Sequence, residues 1–264
     1  MDMNDVSVAK VADPAARSRV YRLFADAFRY PTAESLERFR SGEYLNELLG
    51  AMSGLPHACL MSGEEQSARE GVEDEIAPLE FTNLETRYIM TFDVGTPTPP
   101  CPPYEGTYRE GIPRSKRLLA IVAFYRHFGL KMSEEENSRE LPDHICAELE
   151  FMHFLAFKET QAREDGDQDL VIGYVHAQRD FLARHLSHWL PKFAERLEGA
   201  AQCVAFAVIA RLASDFVDKE LGLVRDYLKA WGIPDESEAC EPEHGAFPPI
   251  VPAEGGCCPP PPDF

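Results

Sequence analysis

Five of the nine residues in 95–103 are proline, and no element with a full set of backbone hydrogen bonds can run through such a stretch. Proline lacks the N–H that a helix interior or a central strand needs. The chain must therefore build its fold from what lies on either side of an extended connection. On both sides the apolar residues recur at three- and four-residue spacings, the signature of one helical face. Pro14 opens a segment in which Val20, Leu23, Phe24, Ala27 and Phe28 make one stripe, closed by Pro31. The spacing predicts a helix over 32–49 with Leu36, Phe39, Leu45 and Leu48 inward, and another over 79–92 with Phe81, Leu84, Tyr88 and Phe92 on one face. Residues 50–75 mix Gly, Ser, Pro and acids and read as a loop with room for one helical turn.

Beyond the proline run, helix resumes near Pro113 and reaches His127, with Leu118, Ile121, Val122 and Tyr125 buried and Gly129 as its cap. Pro142 suits the first turn of the next helix, where its missing N–H costs nothing, and that helix runs to about Gln161. A long helix from Asp169 places Val171, Tyr174, Val175, Gln178, Phe181, Leu182, His185 and Trp189 on one stripe and bends near Pro191. The last helix, 200–231, is apolar on most sides at its start and so belongs at the centre of the bundle. No stretch alternates with period two and no repeat is present. The expected architecture is all-α: a flexible N-terminus over 1–13, then a single bundle of about eight to eleven helices over 14–233. That bundle contains a linker at 95–113 and a hinge near 139–144. A disordered, Pro- and Cys-rich tail, 234–264, ends it.

Composition narrows the function. Forty-five acidic against 26 basic side chains give a formal charge of −19, which repels nucleic acid and anionic lipid and attracts basic partners. Acidity serves solubility equally well, so the charge alone decides nothing. Residues 1–20 carry no apolar run of the secretory kind, and the sequence has no Arg-Arg pair of a twin-arginine leader. The least charged stretch, 200–210, is far shorter than the roughly 20 residues that span a bilayer. The seven cysteines then read as reduced thiols in a cytoplasmic protein.

Two motifs stand out. Pro103-Tyr104-Glu105-Gly106-Thr107-Tyr108-Arg109 follows the linker. Its tyrosines offer rigid apolar area with a polar tip, suited either to recognition or to packing back on the core. Glu140-Leu141-Pro142-Asp143-His144 opens a helix in which Asp143 favours the dipole and Glu148 lies one turn from His144, within hydrogen-bonding reach. Residues 133–150 hold seven carboxylates and one arginine, a docking surface for an arginine-bearing peptide through charge-assisted bonds. Asp143 and His144 could serve acid–base chemistry, but no nucleophile or phosphate-cradling loop accompanies them. Cys240, His244, Cys257 and Cys258 are ligand-rich yet fit no standard zinc spacing. His185 and His188 share a helix, His185 on its apolar stripe. No metal, cofactor or catalytic residue is expected. The rivals to a binding protein are a helical hydrolase or nucleotide-binding protein using Asp143 and His144, and a metal-dependent regulator using the tail cysteines.

In this order, the two motifs resemble the TorD/NarJ family of molybdoenzyme maturation chaperones. Glu140, Pro142, Asp143, His144, Glu148, Leu149, Phe151 and Met152 match its hinge pattern, and Pro103, Tyr104, Glu105 and Tyr108 the upstream one. The family's Tyr-x-x-Leu-Phe appears as Tyr88-Ile89-Met90-Thr91-Phe92, with threonine in the leucine place, and the Cys/Pro-rich tail is no general family feature. The likeness is greatest to chaperones of type II dimethyl sulfoxide reductase-like enzymes. The resemblance implies a cytoplasmic chaperone. Its partners would be the apo catalytic subunit of a molybdopterin oxidoreductase and that subunit's twin-arginine leader; it would assist cofactor insertion and hold back export. It implies client contact through Tyr104, Glu105, Tyr108, Glu140, Pro142, Asp143, His144 and Glu148, by a monomer or a hinge-swapped dimer.

Overall fold

A computed structural model describes residues 12–58, 60, 62–111, 113–131, 141–200 and 204–234. Among them are eleven α-helices, and β pairing is confined to one bridge. In chain order the helices are α1 (Pro14–Phe28), α2 (Ala33–Arg40), α3 (Glu43–Ser53), α4 (Ser62–Ile76), α5 (Phe81–Tyr88), α6 (Glu105–Tyr108), α7 (Arg114–His127), α8 (Ile145–Glu164), α9 (Gln168–Arg184), α10 (Leu186–Gly199) and α11 (Val204–Ala230). A π-helical turn, Ile89–Asp93, continues α5. Helix starts follow local chemistry: Asp13 accepts from the Ala15 N–H, Thr32 and Ser35 form a reciprocal capping box, and Asp167 accepts from the Leu170 N–H.

Helix α1 packs along α8 and touches α3 and α11; α11 also lies against α4, α9 and α10, which makes it the central helix. The core is rich in aromatic edges: Phe216 meets Tyr21 at 5.0 Å between ring centroids, and Phe92 meets Phe206 at 5.1 Å. Each such side chain, once buried, contributes about 1.5–3 kcal/mol from apolar area removed from water.

Several expectations need correction. The segment 62–76 is a full helix, not a loop. Its buried residues, Ala68, Val72 and Ile76, recur every fourth position amid charge, and two of them are too small or too few to mark a stripe. Gly71 allows the close approach to α11, since a Cβ there would lie 2.8 Å from Val208 Cγ2. The expected helix over 32–49 is two helices, because Gly42 turns the chain at φ +72°. The long helix breaks at His185 (φ −124°, ψ −91°) rather than at Pro191, which is carried inside α10. Asp143 lies before α8, not in its first turn, and His144 is the N-cap. The expected hinge position Glu140, most of the acidic run and the tail from 235 lie outside the described residues.

At the centre sits a buried ion network. Arg17 Nε donates to Glu220 Oε2 at 2.8 Å, its Nη1 to Glu159 Oε2 at 3.0 Å and its Nη2 to Gln178 Oε1 at 2.5 Å. Gln178 Nε2 donates in turn to Glu159, while the Tyr21 hydroxyl and His57 Nε2 both reach Glu220. Arg17, Glu159, Gln178 and Glu220 are wholly buried. Removing the cation strands two desolvated carboxylates, so Arg17→Met should cost about 3–5 kcal/mol in chemical denaturation, and adding Glu220→Gln should restore part of it. A cost below about 1 kcal/mol, the size of a surface pair, would show that the network is incidental to the fold.

Candidate functional site

The proline-rich segment ends by pairing with the start of α8. Glu105 N–H donates to the Asp143 carbonyl and Ile145 N–H to the Pro103 carbonyl, both at 2.9 Å, which makes Tyr104 and His144 an antiparallel bridge. Their rings meet edge to face at 5.1 Å. The Asp143 side chain accepts the Gly106 N–H at 3.1 Å, and the Tyr125 hydroxyl donates to the Pro142 carbonyl at 2.9 Å. His144 Nδ1 accepts the Cys146 N–H, capping α8. Gly106 lies close under the hinge: a Cβ there would lie 2.9 Å from Asp143 Oδ2, so that carboxylate would have to move off the Gly106 N–H.

Two further carboxylates complete the site beneath this clasp. Glu105 accepts from Arg109 Nη1 at 2.7 Å and pairs with His185 Nδ1 at 3.0 Å. Glu148 accepts the Trp189 indole N–H at 3.0 Å. Trp189 stacks on Tyr108, whose other neighbours are Phe193 and the Arg196 guanidinium. Arg109 also holds the Arg184 carbonyl and receives Arg117 on its own carbonyl. The break at His185 thus turns that imidazole onto Glu105 and sets Trp189 over Glu148. Sequence reading missed Arg109, Arg117, His185 and Trp189 as site residues. Only the position of His185 and Trp189 on one apolar stripe hinted at their inward aim.

The structure therefore brings together Tyr104, Glu105, Tyr108, Pro142, Asp143, His144 and Glu148. It does not present them as an exposed acidic surface. Glu105, Asp143 and Glu148 are fully buried and His144 is nearly so; Tyr104 and Pro142 are half-buried. Glu150 is tied to Arg29. Among the described residues of 133–150, no carboxylate stands unengaged at the surface: two are buried and one is paired. The physical reason is the bridge, which folds the linker over Asp143 and Glu148 and shuts them from solvent.

The two glutamates titrate in opposite directions. Burial pushes Glu105 up, but the hydrogen bonds and charges of His185 and Arg109 outweigh it and hold the carboxyl below its ordinary range. Glu148 is pushed well above its ordinary range by burial and by the Glu105 charge, with the Trp189 N–H only a partial offset. Burial also raises Asp143, against the Gly106 N–H. One oxygen each of Asp143 and Glu148 finds no hydrogen-bond partner, as a protonated carboxyl in an apolar niche tolerates better than an ionised one. Among the described residues, no cluster of His, Cys, Asp and Glu is fit to hold a metal ion.

A pH dependence follows. A carboxyl raised on folding favours the folded state below its unfolded pKa of about 4.3, and this contribution is lost as pH rises toward the folded value. Glutamine keeps the acceptor for Trp189 without a titrating proton. Glu148→Gln should therefore gain stability relative to the parent between about pH 5 and pH 8. Glu148→Ala, leaving the indole N–H unpaired, should lose about 1–3 kcal/mol throughout. Denaturant melts at the two pH values measure both, and a parent–glutamine difference independent of pH would refute a neutral Glu148.

The family described as nitrate reductase delta subunit matches residues 60–195. The perchlorate reductase assembly chaperone protein of Dechloromonas aromatica (strain RCB) is 34% identical over 225 residues, covering 83% of this chain and 95% of that one. The chlorate reductase assembly chaperone protein of Ideonella dechloratans is 31% identical over 188 residues, 71% of this chain and 80% of the relative. The selenate reductase assembly chaperone protein of Thauera selenatis is 37% identical over 127 residues, 48% and 64%. These names are those of chaperones, not of catalysts, as the sequence reading favoured. With half the chain inside the family's match and a relative aligned along nearly its whole length, the chain belongs to the nitrate reductase delta subunit family, the TorD/NarJ group that its hinge motifs resemble.

Proposed function

We propose that the chain is a cytoplasmic assembly chaperone for the catalytic subunit of an oxyanion-reducing molybdoenzyme. It holds the apo-subunit and its twin-arginine leader during cofactor insertion and delays export. The relatives' names supply the client class, and the clasp between linker and hinge supplies the means. Tyr104, Pro142 and the exposed Leu141 offer contact at the surface. Glu105, Asp143, His144 and Glu148 act from beneath, as positioning residues that keep the linker seated on α8. Tyr108 is anchored by Trp189 and Arg196 in the same way.

The observation that carries leader binding is an apolar and acidic patch where the linker begins. Tyr30, Met90 and Val94 are each about half exposed, an uncommon display for large apolar side chains. They gather about the π-helical turn, a feature frequent at functional sites. The Tyr30 hydroxyl donates to Glu85 at 2.7 Å, and Asp93 acts on the same hydroxyl. Cys101 N–H bonds the Thr91 carbonyl at 2.9 Å, so the linker starts from this turn and ends on the hinge. An arginine pair followed by an apolar run is the peptide that such a surface suits.

The test is calorimetric titration with a synthetic peptide bearing the Arg-Arg pair and its apolar run, and with an Ala-Ala control. Affinity should fall with salt, since exposed pairs are screened over about 8–10 Å. Met90→Ser with Val94→Ser, which removes apolar area without adding charge, should weaken binding tens-fold, the scale of about 2 kcal/mol for a hot spot, with the melting temperature unchanged. Equal affinity for both peptides would remove the leader from the reading.

A further inference from the structure

The two flanks of helix α10 differ in charge. Leu186, Trp189, Leu190, Phe193 and Leu197 face the bundle and are buried. On the flank turned toward α6, His188, Lys192 and Arg196 recur every fourth residue and so form one row; all three are exposed. The other flank carries Glu198, paired with Arg211 of α11 at 2.8 Å. In a chain where acids outnumber bases 45 to 26, a cation ordinarily finds a carboxylate. Among the described residues, Lys192 and Arg196 do not. Lys192 donates instead to the Tyr108 carbonyl at 3.3 Å, and the Arg196 guanidinium lies 5.8 Å over the Tyr108 ring. Tyr108 is itself fixed, stacked on Trp189 at 5.6 Å and edge-on to Phe193 at 5.8 Å. A carbonyl or a ring orients a cation without cancelling its charge, whereas a carboxylate does both. The two cations therefore stand one helical turn apart, about 6 Å along the axis, held in place and still charged. Like charges at this spacing repel, so the row gains only when an anion arrives.

We propose that this row is a docking surface for a helical segment of the client that presents two carboxylates one turn apart. The inference deepens the reading of the chain as an assembly chaperone and rests on it for the client's identity. Spacing supports it first: glutamates at i and i+4 on a facing helix stand at the same separation of about 6 Å. Place supports it next, because the row borders α6, the element that carries Glu105 into the clasp. Charge narrows the class of partner. A row this short neutralises few phosphates, and a net charge of −19 repels a long polyanion such as nucleic acid or an anionic membrane. A short acidic helix is governed by what lies within a Debye length of about 8–10 Å, and there it meets Lys192 and Arg196. Because both cations are already oriented by Tyr108, less side-chain freedom is lost on pairing than at an ordinary surface lysine or arginine.

The probe is an alanine-rich helical peptide bearing two glutamates four residues apart. It is titrated into the isotopically labelled full chain at low salt and followed by amide chemical shifts. The shifts should gather on 107–109 and 188–196, and a peptide with glutamine in both places should bind several-fold more weakly. Lys192→Glu with Arg196→Glu should reject the glutamate peptide and accept its lysine counterpart, a reversal that a structural role would not produce. Arg196 also covers the Tyr108 ring, so Lys192→Glu alone serves as a second variant. It should shift the preference the same way, by less, with circular dichroism unchanged. The proposal is overturned if the glutamate and glutamine peptides bind alike or not at all, if the shifts fall elsewhere, or if neither variant changes the preference. It is equally overturned if inorganic phosphate displaces the peptide at an ionic strength where chloride does not, which would make the occupant a phosphoryl group. The Arg-Arg peptide, whose patch surrounds Tyr30, should keep its affinity in both variants. Its failure to bind the parent would count against the leader alone and leave this row standing.

Discussion

One guanidinium organises the bundle. Arg17 reaches from α1 to Glu159 on α8, Gln178 on α9 and Glu220 on α11, and His57 brings the segment after α3 to the same carboxylate. Ions this deep carry a desolvation cost that only near-complete partnering offsets. Here burial would raise Glu220, yet Arg17 and His57 hold it below the ordinary carboxylate range. An apolar contact tolerates sliding by a fraction of a turn, whereas a forked set of charge-assisted bonds does not. The network therefore sets the register of four helices that apolar packing alone would leave loosely specified. Its stability contribution has the sign opposite to that of Glu148: it is present above the unfolded carboxylate pKa and lost as pH falls through the folded value.

That register reaches the hinge. Glu159 and Glu148 sit on the same helix, three turns or roughly 16 Å apart, and Gln178 precedes His185 by two turns on α9. Fixing α8 against α9 at the network end fixes the distance at which Glu105, carried in on the linker, can meet His185 while Asp143 meets Gly106. The clasp is thus not a flexible loop that happens to close. Its hydrogen bonds are satisfied only when two helices already stand at the separation that Arg17 imposes, and the linker's prolines limit the conformations it would otherwise lose on seating.

Periodicity makes most of the bundle legible. The stripes of α1, α3, α5, α8 and α9 are buried as their spacing requires, with Val20, Phe24, Leu48, Leu84, Leu149 and Phe181 all inward. It fails where burial rests on small residues, as for Ala68 and Val72 in α4, because a stripe of modest side chains among seven charges carries little pattern. It also fails at breaks whose cause is tertiary. His185 leaves helical geometry although its neighbours are good helix residues, and the compensation is its bond to Glu105, eighty positions away. The hinge motif could be found in the sequence, but its burial could not. Carboxylates in a polar stretch near a proline read as surface, and only the Tyr104–His144 bridge puts a roof over them.

A formal charge of −19 gives a poor account of the field around that hinge. The carboxylates there are sequestered: Glu105 is paired with Arg109 and His185, burial and the Glu105 charge push Glu148 well above its ordinary range, and Glu150 is paired with Arg29. The charges nearest Tyr108 are cations, since Lys192 donates to its carbonyl at 3.3 Å and Arg196 lies 5.8 Å over its ring. Fields near a protein surface follow local arrangement more than net charge, because separations beyond a Debye length of about 8–10 Å are screened. Glu85 and Asp93 make the surroundings of Tyr30 and the π-helical turn negative, while Lys192 and Arg196 make those of Tyr108 positive. The two ends of the linker thus differ in sign.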